Sequence, residues 1–162
     1  MIGNDVVDLS IATQQSNWRR KNYLDKVFTP LEQDFIRAAA NPDEMVWSLW
    51  SRKEAVYKII RQKGGKSGYY PKAIECLDTC STNGKVRFKH TVYFTQTIIK
   101  DSLLQTLAVT KSSDFQFVTI VTTIDDIITI NEIPYLVLED KRYAASKSHH
   151  GRFEQVVGLV SQ

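Results

Sequence analysis

The sequence predicts an α+β fold, and three observations carry that reading. Thr29-Pro30-Leu31-Glu32 and Asn41-Pro42-Asp43-Glu44 each set a capping side chain before a proline and an acid in the first helical turn. After Gly64-Gly65 the apolar pattern shifts from helical spacing to a period of two, the alternation of half-buried strands. No repeat, low-complexity tract or linker interrupts the chain, so both kinds of element belong to one domain spanning 1–162.

Taken in order, residues 2–9 read as a short buried strand on Ile2, Val6, Val7 and Leu9. The polar stretch 10–22 fits a loop or a frayed helix equally well. The first capped helix runs over roughly 30–40. The second runs to about 62 and stops before the glycine pair. On it Met45, Leu49, Val56 and Ile60 recur at helical spacing and face a core, while Trp47, Trp50, Glu54, Lys58 and Arg61 form a neighbouring stripe. Residues 72–79 and 85–94 read as strands joined around Asn83-Gly84, a hairpin signal. Residues 115–123 alternate as another strand, 97–110 and 124–139 fit strand or helix, and 142–161 read as two strands meeting near His150-Gly151.

The chain has 162 residues, 43 % apolar and 24 % charged, enough to bury a core and unlike a disordered composition. A net charge of +3 is too mild to demand a polyanion, but seven Lys or Arg against Glu54 crowd residues 52–72. Cys76 and Cys80, four apart on a strand, lie ~13 Å from each other, beyond disulfide reach. With no CxxC spacing they read as reduced thiols. The start, MIGNDVVDL, lacks a basic signal region, and no uncharged apolar run approaches ~18 residues. A cytoplasmic protein without a membrane span is the expectation.

Three patches point to chemistry: Gly3 to Leu9, Trp50 to Lys58 with the basic 61–68 beyond it, and Ser146 to Phe153. Each has a plainer explanation. A strand-end Asp caps turns, Glu54 and Lys58 at i,i+4 make a surface pair of a few tenths of a kcal/mol, and His beside Gly marks a turn. The combination says more. Asp5 and Glu54, if the fold joins them, repel each other unless a cation lies between. Magnesium suits such a pair, since it uses few protein carboxylates and completes its shell with water and phosphate oxygens. The basic window then supplies counter-charge for a diphosphate with a further phosphate nearby.

GNDVVDL followed by WSRKEAVYK resembles the 4′-phosphopantetheinyl transferases, whose signature is G-x-D on an early strand and (F/W)-x-x-K-E-(A/S)-x-x-K on a helix. The terminal SKSHHGRF resembles their S-x-S-H-(D/x)-G-x-(Y/F) turn, and the short chain is similar to the holo-acyl-carrier-protein synthase type. The resemblance covers roughly 2–9, 46–68 and 143–160. It implies an antiparallel sheet packed on a long helix, with Asp5 and Glu54 as magnesium ligands. It also implies that Lys58 and Lys53 contact phosphate, Gly64 and Gly65 form a phosphate-side loop, and Ser148 and His149 hold coenzyme A phosphates. The implied reaction moves phosphopantetheine from coenzyme A to a serine of an acyl carrier protein, releasing 3′,5′-ADP, with Glu54 or a metal-bound water taking the serine proton and Lys58 stabilising charge. Val7 stands where the larger members have a third acid, leaving that position to water. Ile11 stands where a carrier-docking basic residue is usual, making Arg19, Arg20 and Lys21 the candidates to replace it. With no internal repeat, the resemblance further implies a homo-oligomer, a trimer, with Ser148 and His149 of a neighbour opposite Asp5 and Glu54.

Two rivals compete. A nucleic-acid binder would use the basic window with Tyr57, Tyr69 and Tyr70, although no nucleic-acid module is visible. A magnesium nuclease would use Asp5 and Glu54, but Val56 stands where a lysine is wanted.

Overall fold

The computed structural model describes residues 1–65, 68, 70–79 and 82–160, so Lys66, Tyr69 and Cys80 of the sequence reading lie outside the described residues. Helix α4, Pro42–Gln62, is the organising element among the four helices of the described residues: α1, Leu9–Gln15; α2, Tyr23–Val27; and α3, Pro30–Ala38 precede it. Both anticipated caps form. Thr29 and Glu32 make a reciprocal capping box at α3, and the Asn41 side chain accepts from the Glu44 N–H at α4. The undecided stretch 10–22 begins as helix because the Asp8 carboxylate accepts from Ser10 N–H and caps α1. Val46, Leu49, Val56 and Ile59 are fully buried on α4, and Trp47 joins the core with them instead of the neighbouring stripe.

Ten strands form two five-stranded sheets, antiparallel throughout the described residues. The first contains β1, Ile2–Asp8; β2, Ile74–Cys76; β3, Asn83–Phe88; β4, Thr91–Lys100; and β5, Leu103–Val109, in the order β1-β5-β4-β3-β2. The second contains β6, Val118–Ile120; β7, Ile127–Ile130; β8, Ile133–Leu138; β9, Lys141–His150; and β10, Phe153–Leu159, in the order β6-β10-β9-β8-β7. The ambiguous segments 97–110 and 124–139 are therefore mainly strand. In 115–123 only β6 is strand, preceded by a 3-10 turn at Ser112–Phe117.

Asn83-Gly84 is not the hairpin turn. It lies inside β3, whose turn to β4 uses Lys89 at φ 54 and His90. Gly84 is present because a Cβ there would sit 2.7 Å from the guanidinium nitrogen of buried Arg52.

Among the described residues the sheets share no ladder. β1 is the edge of the first sheet, and its outward N–H groups are taken by side chains of β9. Asn4 N–H donates to Ser146 Oγ at 3.0 Å, Val6 N–H to Ser148 Oγ at 3.1 Å, and Asp8 N–H to His150 Nδ1 at 2.9 Å. Alternate residues of β9 point one way, so three of them close an edge that otherwise invites pairing with another chain.

Candidate active site

Gly3 explains why Asp5 reaches the helix. A Cβ on Gly3 would lie 1.9 Å from the carbonyl oxygen of Ala55, so only glycine lets β1 press onto α4 at that point. Two residues on, along the same strand face, stands Asp5, 9 % exposed. Its Oδ1 accepts from Ser148 Oγ at 3.0 Å and lies 3.8 Å from the Lys58 ammonium. Burial pushes the Asp5 carboxyl above its ordinary 3.8, with Lys58, the hydroxyls of Ser51 and Ser148, and His150 pulling it back.

Lys58 projects from α4 into the same place. It donates to the backbone carbonyls of Asn4 at 2.7 Å and Lys147 at 3.0 Å, so it ties β1, α4 and β9 together. Burial draws its ammonium below the ordinary 10.5, while the charges of Asp5 and Glu54 oppose that change. Glu54, half-buried one turn earlier on α4, is near enough for its charge to act on the Lys58 ammonium. Among the described residues no three His, Cys, Asp or Glu side chains are arranged to share an ion. A metal here would rest on two carboxylates plus water and ligand oxygens, which is the magnesium habit.

Beside these groups opens a cavity of about 520 Å³ between α4, β9 and the β7–β8 hairpin, with Lys58, Arg61, Ser146 and Lys147 on its walls. Ser148 reaches Asp5 within the same chain.

Four other anticipated residues stand elsewhere. Lys53 is fully buried, its ammonium donating to Glu32 Oε2 at 2.6 Å, Val27 O at 3.0 Å and Pro71 O at 2.9 Å. It holds core elements together and has no donor left for phosphate. His149 is exposed on the face of β9 opposite Ser148, so the imidazole turned toward β1 is that of His150. Gly64, at φ 79, ends α4, and Gly65 lines a different cavity of about 460 Å³ with Tyr70 and Phe88. Within the basic window Arg52 and Lys53 are buried and Lys58 is bound to backbone, while Lys63 and Lys72 are exposed.

Sequence reasoning passed over Asp8 and Arg152. The Arg152 guanidinium clasps the buried Asp8 carboxylate at 2.8 and 3.0 Å and holds that carboxyl far below the usual range. The clasp fixes the β9–β10 turn to the start of α1, and only the spacing of a turn arginine hinted at it. Cys76 is a buried free thiol whose ionisation burial pushes strongly upward.

The family model of the 4′-phosphopantetheinyl transferase superfamily matches residues 1–112. The chain belongs to that superfamily. This transferase also resembles solved structures: the holo-[acyl-carrier-protein] synthase from Neisseria meningitidis at TM-score 0.56 and 14 % identity covers 68 % of this chain and 97 % of its own. The apo-ACPS of Chronobacterium ammoiniagenes gives TM-score 0.53 at 17 % identity, over 67 % of this chain and 93 % of its own. Those likenesses establish the fold. Comparison with curated protein sequences finds no match. The transferase carries its third motif, Ser146 to Phe153, outside the matched 1–112, on the strands that complete the Asp5 site. None of its described helices is long and apolar enough to cross a membrane.

Proposed function

We propose that this transferase moves 4′-phosphopantetheine from coenzyme A to a serine of an apo acyl carrier protein, with magnesium as its metal. The observation that carries the reading is the buried Asp5 carboxylate 3.8 Å from the ammonium of Lys58, a lysine that the charge of Glu54 also reaches and that lines the neighbouring cavity. Two carboxylates in partial burial fit a divalent cation, and Asp5 and Glu54 would hold it. When bound, magnesium neutralises diphosphate charge.

The chain's own groups do the rest. Ser148 orients Asp5, Lys58 faces the developing charge on the transferred phosphorus, and Glu54 accepts the serine proton. The bond from serine Oγ to phosphorus forms as the bond to 3′,5′-ADP breaks, and the nucleotide leaves with the electron pair. An acidic carrier would dock on Arg19, Arg20 and Lys21, which line a surface hollow beside Trp18.

The test incubates the protein with apo carrier, coenzyme A and magnesium and weighs the carrier by intact mass spectrometry. The carrier gains one phosphopantetheine, and Glu54→Gln abolishes the gain. Lys58→Ala loses about 1.5–3 kcal/mol of interaction with the charged phosphate, read as a raised KM for coenzyme A. An unmodified carrier across fatty-acid and polyketide types, or full activity in Glu54→Gln, overturns the reading.

A further inference from the structure

A polar row crosses the core behind Asp5. Asp5, Thr106 and Thr97 stand directly opposite one another on β1, β5 and β4, so their side chains share the face that α4 covers. Ser51 meets them from α4. It lies about one helical turn before Ala55, the residue that Gly3 presses against, just as Asp5 lies two residues beyond Gly3. The Ser51 hydroxyl donates to Thr106 Oγ1 at 2.9 Å, and Thr106 and Thr97 share a hydrogen bond of 3.0 Å. Arg52 Nε donates to Thr97 Oγ1 at 3.1 Å, and the same guanidinium donates to the backbone carbonyl of Asp78 at 3.2 Å. All four side chains are buried, and Gly84 leaves the room in which the guanidinium lies. Alanine at 51 and valine at 106 would fill the same space, and exchanging both partners of a buried hydrogen bond for apolar groups of like shape is nearly neutral. Stability therefore does not call for the row. Its Asp5 end does, because the Ser51 hydroxyl is one of the groups that draw the Asp5 carboxyl down.

We propose that Ser51 is a positioning residue for Asp5, and that Thr106, Thr97 and Arg52 hold its hydroxyl beside the carboxylate from inside the core. Ser148 approaches Asp5 from β9 and Ser51 from α4, so two elements fix the carboxylate and leave its remaining lone pairs to a cation. The inference rests on the reading of Asp5 as a metal ligand given above, and it names what keeps that ligand in place.

The test uses the full chain with coenzyme A and no carrier, so that nothing turns over. Electron paramagnetic resonance counts free manganese, the stand-in for magnesium, and so reads metal binding directly. Wild type binds manganese, and Ser51→Ala weakens binding by about tenfold, equivalent to about 1.4 kcal/mol, as expected for loss of a group that orients a ligand. Thr106→Val also weakens binding, but Ser51→Ala with Thr106→Val binds no worse than Ser51→Ala alone, because Thr106 acts through Ser51. Thr95→Val is the control. Thr95 is buried two residues before Thr97 on the same strand face, its hydroxyl has no partner among the described residues, and its loss leaves binding as in wild type. Unchanged binding in Ser51→Ala, additive losses in the double variant, or an equal loss in Thr95→Val overturns the proposal, and the transfer reading stands if wild type still modifies a carrier. A tenfold loss in Ser51→Ala, in a protein that modifies no carrier, sinks the function and leaves the role of Ser51 standing. No manganese bound by wild type overturns both.

Discussion

Asp5 is held where its charge is least welcome. The carboxyl is raised by burial, so the folded chain binds its proton more tightly than the unfolded chain does. Stability from this residue is therefore greatest in acid and falls as pH rises through the ordinary 3.8 and up to the raised folded value. Asp5→Asn removes that loss. In chelator, near neutral pH, the variant melts higher than wild type while its transfer is abolished, and a lower melting temperature would show Asp5 to be structurally stabilising. Lys53 behaves in the opposite way. Breaking a buried ion pair by removing one partner costs about 3–5 kcal/mol. Lys53→Ala should thus drop the melting temperature by about 2–4 °C per kcal/mol for a chain of this size. Whatever remains folded keeps its KM for coenzyme A, and a raised KM would return Lys53 to the phosphate site. From sequence, Lys53 and Lys58 look equivalent, since both flank Glu54 among basic neighbours. Only the position of Glu32, 21 residues upstream, decides that one turns into the core.

At the scale of elements, the S-x-S-x-H pattern of β9 works as a seam between sheets. Ser146, Ser148 and His150 each accept one outward N–H of β1, and His150 keeps its ring proton on Nε2, facing Gln15 Oε1 at 3.1 Å. Ser148 alone adds a donor to Asp5. Ser146→Ala and Ser148→Ala should therefore destabilise alike, by about 1–3 kcal/mol for a buried N–H left without its acceptor. Ser148→Ala should in addition cost about 10–100-fold in activity, the usual effect of losing a group that orients a ligand. Denaturant midpoints beside kcat/KM separate the two, and equal activity in both would remove Ser148 from the site. The motif is legible in the sequence, and its register decides which imidazole faces β1. Period-two alternation puts 146, 148 and 150 on one face and 149 on the other, which picks out His150. The capped helices and the two terminal strands were legible because their signals are local. The Asn83-Gly84 misreading had a long-range cause: Gly84 answers to Arg52, 32 residues away, and no local pattern distinguishes a glycine kept for close approach from one kept for a turn.

For the whole molecule, the question is whether the second sheet is an appendage to the matched 1–112 or part of the same cooperative unit. Ile2 and Val109 are fully buried, and they pack with Val157 and Leu159 of β10. Exposing both costs about 1.5–3 kcal/mol each. The three hydrogen bonds of the β1 edge add about 0.5–1.5 kcal/mol each when traded for water. Together these approach the ~5–15 kcal/mol that a domain has in total. A fragment of residues 1–112 would also present β1 as a bare edge beside exposed apolar side chains, a template for aggregation. The full chain should therefore unfold in one transition, with far-UV circular dichroism coinciding with emission from Trp18, Trp47 and Trp50, all of which lie in the first 112 residues. The fragment should give no cooperative transition and no native-like tryptophan emission. If it melts sharply with the emission of the full chain, the two sheets are separable units, and the Asp5 site would then be assembled by docking two folded bodies instead of by folding one.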